Sequence, residues 1–263
     1  MGINNGNSIY KGSDCPNDFS GMSGAVVLPL KVESNGSLTN NGAELTVSGN
    51  YAWAEGRGSK ATGDFSHAEG RTTTASGIRA HAEGFQTTAS GVNSHAEGDQ
   101  STAGDSAHAE GFKTTASGGS SHAEGYQTTA SAARAHSEGY YTTAGAENAH
   151  AEGNYTKAMG KHSHAEGSAS EANGERSHAG GNHCLANAVD AFVHGSELLT
   201  TSQKCAVLGE YNADEAAYFI VGGGTANDAR ANVFKIDKSG DLWFMHNGVL
   251  TKLSTLLNSH NIT

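Results

Sequence analysis

The side chains best equipped for chemistry in this sequence are imidazoles and carboxylates, and they come in a column. His67, His81, His95, His108, His122, His136, His150, His164 and His178 recur every 14 residues, with one 13-residue step after His95. All but the last are followed two residues later by a glutamate: Glu69, Glu83, Glu97, Glu110, Glu124, Glu138, Glu152 and Glu166. Imidazole changes charge near neutral pH, donates charge-assisted hydrogen bonds to carboxylates and ligates zinc, nickel or copper. Catalysis would instead need unique groups in one pocket, and these candidates are copied along the chain, so the sequence argues against an enzyme and implies no cofactor. Gly222-Gly223-Gly224 follows Phe219-Ile220-Val221, but the Gly-Lys-Ser/Thr of a phosphate-binding loop is missing, and it reads as a turn.

The elements that position this column are short and repeated. Each 14-residue rung divides into two seven-residue halves ending in glycine, typified by Ser-His-Ala-Glu-Gly and Thr-Thr-Ala-Ser-Gly. Seven residues suffice for one short strand and one tight turn, so the sequence predicts an all-β parallel solenoid with two strands per coil and glycine supplying positive backbone angles at the corners. Strand alternation puts Ser or Thr four before the glycine, and Ala two before it, on the inner side. His and Glu then point outward, as do Thr74/Ser76, Thr88/Ser90, Thr115/Ser117 and Thr129/Ser131 in the other half. Rungs run from Tyr51-Ala52-Trp53 to about Gly209, some 11 or 12 of them. At about 4.8 Å per strand they make a rod on the order of 50 to 60 Å long.

Three segments follow: 1–50 as an N-terminal β cap, 51–209 as the repeat, and 210–263 as a C-terminal β-hairpin module with a short helix. Ala25 to Val32 reads as a strand pair, with Asn35-Gly36 and Asn41-Gly42 as turns. At the other end Ala217–Gly222, Asn232–Asp237 and Leu242–Met245 read as strands, and Gly248–Leu257 as an amphipathic helix. Trp53, Phe192 and Leu208 are expected to plug the two ends of the polar column. A net charge of -11 disfavours nucleic acid and anionic membrane as partners. Cys15, Cys184 and Cys205 lack metal-site or disulfide spacing and read as free thiols. The N-terminus lacks the features of a signal peptide, and no apolar run reaches membrane-spanning length. With hydrophobic residues at only 36%, a lone thin coil would be marginally stable, so self-association is expected.

The rungs resemble the YadA-like head repeats of trimeric adhesins, in which one half reads Ser-Val-Ala-Ile-Gly and the other Ala-x-Ala-x-Gly. The resemblance covers residues 51 to about 209, about 60% of the chain. It implies a left-handed parallel β-roll and a homotrimer, with the positions of the family's Val and Ile turned to the trimer centre. Here those positions hold His and Glu, so the resemblance implies a histidine–glutamate ladder between chains. His95, for example, would donate to a neighbour's Glu97 or to an intervening water, and assembly would respond to pH because the glutamates favour protonated imidazole. Metal ions in the histidine columns, bound anions and ordered water stay open as alternatives.

The C-terminal segment resembles the module that follows such heads in tail fibres and tail-associated proteins of bacteriophages. The functional expectation is therefore a homotrimeric fibre protein of a phage tail or phage-derived particle, located on the virion, whose partners are itself and a bacterial surface receptor or glycan. No membrane insertion is expected. Alternatives are the head of a bacterial trimeric autotransporter adhesin on the cell surface, a metal- or pH-responsive assembly protein, and an ice-binding rod built on the threonine ladders. The turn aromatics Phe85, Phe112, Tyr126, Tyr140, Tyr141 and Tyr155 could stack on sugars.

Overall fold

The computed structural model describes residues 30–32, 34–36, 38–40 and 44–259. Cys15, Ala25–Pro29 and Asn41-Gly42 lie outside them, as do the expectations attached to those residues. The described residues fold into parallel β-solenoid turns with 14-residue spacing, about 13 in all, and one short C-terminal helix. Two compact units divide the chain, Met1–Asp105 and Ser106–Thr263. The division falls at the single 13-residue step of the repeat.

In the first unit Leu30–Val32 and Leu38–Asn40 pair antiparallel across the Asn35-Gly36 turn, and Leu38–Asn40 then pairs in parallel with Trp53–Ala54. From there His67–Arg71, His81–Phe85 and His95–Asp99 stack in parallel and in register, His67 opposite His81 and His81 opposite His95. A second parallel sheet contains Thr46–Val47, Lys60–Ala61, Thr74–Ala75, Thr88–Ala89 and Thr102–Ala103. Solenoid pairing thus starts before Tyr51. In the second unit the histidine-side ladder runs from His108–Phe112 to Ala206–Glu210 and continues past residue 209 into Ala217–Gly223. The threonine-side ladder there ends at Leu199–Thr200. Asn212 finishes that edge: its Oδ1 accepts from Leu199 N at 2.8 Å and its Nδ2 donates to Leu199 O at 2.8 Å. These are the bonds a further strand would make, and supplying them protects an open sheet edge.

The interior is narrow, as the alternation of small residues requires. Ala68, Ala75, Ala82 and Ala89 are fully buried in the first unit, with Thr73 and Thr87 beside them. Their hydroxyls are satisfied locally: Thr73 Oγ1 donates to Ser59 Oγ at 2.9 Å and Thr87 Oγ1 to the Glu83 carbonyl at 3.0 Å. Toward the end of the second unit Val193, Leu198, Val207 and Ile220 take over the interior. Cys184 and Cys205 are buried there as free thiols.

Three sequence expectations are corrected. The residues that turn each corner in the left-handed region include a non-glycine every seventh position, such as Thr72, Arg79, Gln86 and Asn93. Glycine holds a positive φ in only one of the two glycine columns. Gly222 and Gly223 lie in the strand Ala217–Gly223 rather than in a turn. Val249–Lys252 is a strand antiparallel to Leu242–His246, so the helix is confined to Leu253–Ser259. Among the described residues no helix is long and apolar enough to cross a membrane.

Candidate functional site: the histidine and glutamate face

The strands of the histidine rungs, mostly five residues long, put His and Glu on the outer face because the small residue between them turns inward; His122–Tyr126 alternates half-buried His122, buried Ala123 and half-buried Glu124. With strands about 4.8 Å apart, in-register imidazoles must stack. In the first unit Trp53, His67, His81 and His95 stack with centroid separations of 4.9, 4.8 and 4.8 Å. In the second unit His108, His122, His136, His150 and His164 follow at 5.0, 4.9, 4.7 and 4.8 Å. The His178 ring is turned edge-on to His164, at 5.1 Å, and Phe192 stacks on its other side at 4.8 Å. Trp53 and Phe192 therefore flank the histidine columns, each within its own unit, whereas Leu208, expected beside Phe192, stands in the glutamate column opposite His194.

Seven of the nine column imidazoles lie within 4 Å of a carboxylate of their own chain. His95 Nε2 lies 3.5 Å from Glu97 Oε2, His108 3.6 Å from Glu110, His122 3.7 Å from Glu124 and His136 3.6 Å from Glu138. His81 lies 3.6 Å from both Glu69 and Glu83. The partner changes further along: His164 and His178 reach back to Glu152 and Glu166 of the preceding rung, at 3.3 and 3.4 Å. The Nε2 atoms of His67 and His150 are buried without a hydrogen-bond partner. Glu124, Glu138, Glu152 and Glu166 line one open groove of about 430 Å³.

The electrostatics reverse one expectation. Burial in the stack holds His67, His81, His150 and His178 below the usual imidazole value, and this outweighs the neighbouring glutamates that favour protonation. Proximity of Glu does not make these rings cationic. The carboxylates also crowd one another: the Glu69 acid group is pushed up to about 7, first by its hydrogen bond to Glu55 and then by burial and Glu83. A raised folded value contributes stability below the ordinary carboxylate range that is lost as pH rises through about 7. Glu69→Gln keeps a hydrogen-bond donor without the charge, so it is expected to raise the urea unfolding midpoint at pH 8 and to leave it nearly unchanged at pH 4.5. An equal effect at both pH values would contradict the shared-proton account.

Elsewhere on the second unit the aromatics gather, but Phe112, Tyr126 and Tyr140 end five-residue strands rather than occupying turns, so strand register stacks them. Phe112, Tyr126 and Tyr140 stack at successive separations of 4.9 Å, and Tyr141 stacks on Tyr155 at 5.0 Å. Tyr126, Tyr140 and Tyr155 are exposed. Phe85, on the first unit, sits under the Arg71 guanidinium.

Groups such as His67, Glu69 and His81, or His108, Glu110 and His122, bring three ligand atoms within 4.8 Å of one another, a donor set that suits a transition metal. The sequence reading passed over His194, which lies outside the histidine column and stands in the glutamate column, opposite Gly180. Its signal was present in the repeat itself, since Gly180 is the one place where the expected glutamate is missing after a column histidine. No family model matches this chain, and no curated protein matches it in sequence.

Proposed function

We propose that the protein is the homotrimeric, fibrous head of a bacteriophage tail or phage-derived particle, and that it attaches to a bacterial surface by binding rather than catalysis. The observation that carries this reading is that one parallel solenoid presents two outer features. One is a half-exposed column of paired His and Glu, and the other is an exposed tyrosine cluster. Stacked rungs supply rigidity with little apolar core, and a coil this thin gains most by covering one face with copies of itself. The His/Glu face suits that role, because paired charges in register specify how copies align. The tyrosines suit the second role, since flat rings on a rigid lattice stack on sugars at small entropic cost.

The test is binding of fluorescently labelled protein to candidate host cells, read beside sedimentation equilibrium. A trimer that binds cells, with binding lost in a Tyr126→Ala/Tyr140→Ala/Tyr155→Ala variant that still sediments as a trimer, is the expected result. A monomer under all conditions would overturn the reading, as would cell binding indifferent to the three tyrosines.

A further inference from the structure

The histidine and glutamate columns are interrupted once in the second unit, and the interruption gathers three donors. His178 is followed by Ala179-Gly180-Gly181, and the next rung places His194 opposite Gly180. Gly180 therefore contributes no side chain between a rung carrying Glu166 and a rung carrying His194. Into that space point Glu166 Oε1, 3.4 Å from His178 Nε2 and 3.7 Å from His194 Nδ1. A Cβ on Gly180 would lie 2.5 Å from His194 Nδ1, 2.8 Å from Glu166 Oε1 and 3.0 Å from His178 Nε2. Three donors of two chemical kinds thus surround one point above a glycine. A tetrahedral zinc ion with bonds of about 2.0 to 2.1 Å sets neighbouring donors about 3.4 Å apart, close to both separations found here.

We propose that Glu166, His178 and His194 form a binding site for one divalent transition-metal ion of the zinc class, with Gly180 leaving the room for it and a fourth coordination position open outward. His178 Nε2 is buried, and its 3.4 Å approach to Glu166 is not a well-aligned hydrogen bond, so a metal bond would satisfy it. The Phe192 ring stacked on His178 fixes the imidazole plane, which favours ligation over rotation. The groove of Glu124, Glu138, Glu152 and Glu166 raises the local concentration of cations beside the site. The regular rungs differ, because there a glutamate side chain fills the position that Gly180 vacates. Bound metal would tie three successive rungs together and hold the end of the column by coordination.

Cobalt(II) titration of the metal-stripped full chain tests this, because tetrahedral cobalt reports its ligands through visible absorption. The wild type is expected to bind one tight equivalent per chain with a tetrahedral spectrum. His194→Ala and Gly180→Glu are each expected to weaken it at least tenfold, while His183→Ala, outside the cluster, leaves it unchanged. Gly180→Glu restores the residue found in the other rungs, so the fold is expected to survive, and circular dichroism checks that it does. Tight cobalt binding that persists in both variants would overturn the assignment, as would the absence of saturable binding in the wild type.

Discussion

Gly125→Ala is expected to destabilise the second unit by about 3 to 5 kcal/mol, whereas Gly119→Ala changes stability by less than about 0.5 kcal/mol. Gly125 belongs to the column Gly111, Gly125, Gly139, Gly153, Gly167, Gly181, Gly195 and Gly209, each with a positive φ. At Gly125 that angle is +108°, and an added Cβ would lie 2.2 Å from the Gly139 carbonyl oxygen. That oxygen belongs to a neighbouring strand, so relief requires opening the ladder itself. Strain at the backbone and overpacking against it each contribute about 1 to 3 kcal/mol. Gly119 meets nothing within 4 Å, which makes it the control. The other glycine column tells the two causes apart. Gly160 also faces a backbone oxygen closely, at 1.9 Å from its virtual Cβ, but its φ is ordinary, and the chain itself places Ala132 and Ala188 in the same column. Gly160→Ala is therefore expected to fall between the two, since the coil adjusts to a methyl where the backbone angle allows one. Urea unfolding of the three variants ranks them, and a Gly125→Ala variant as stable as Gly119→Ala would remove the positive-φ column from the account.

The same contrast explains what the sequence disclosed. Period, strand count per rung and the inward set of Ala, Ser and Thr follow from a 14-residue repeat and strand alternation, and the buried Ala75 and Thr73 are where that alternation places them. The corner residues were not readable: Arg79 and Gln86 have no local preference for the left-handed region, and closure of the coil imposes it on them. Gly222 and Gly223 looked like a turn because tripled glycine usually is one. In the structure a Cβ at Gly223 would lie 2.4 Å from Val233 Cγ1, so close approach between strands is what calls for glycine. Val249-Leu250-Thr251 is too short for its periodicity to separate strand from helix, and pairing with Met245 and Phe244 decides it. At the polar face, proximity of His to Glu was legible from spacing. Desolvation of one ring by the next was not, because it depends on the 4.7 to 5.1 Å stacking that register creates.

That desolvation sets the response to acid, and stability is expected to fall as pH drops below about 6.5, the imidazole value of the unfolded chain. For His67, His81, His150 and His178 the folded value is lowered, so between it and 6.5 the unfolded chain binds more protons. Stability then rises with pH through that window, is complete above it, and is progressively lost on acidification. Each histidine contributes a slope of at most about 1.4 kcal/mol per pH unit, reduced here because the rings are only half buried. Neighbouring rings reinforce the effect: two unit charges about 5 Å apart repel by about 3 kcal/mol at an effective dielectric of 20, so each protonation discourages the next. Glu69 works in the opposite direction over part of the same range, since its shared proton is lost as pH rises through about 7. The first unit, which holds Glu69, is therefore expected to show a flatter profile than the second. His150→Asn removes one titrating ring from the middle of the second unit's stack, and it is expected to reduce the fall in thermal midpoint between pH 7.5 and pH 5. If the midpoint instead rises on acidification, the glutamates dominate the imidazoles, and protonated histidine is the form the folded column prefers.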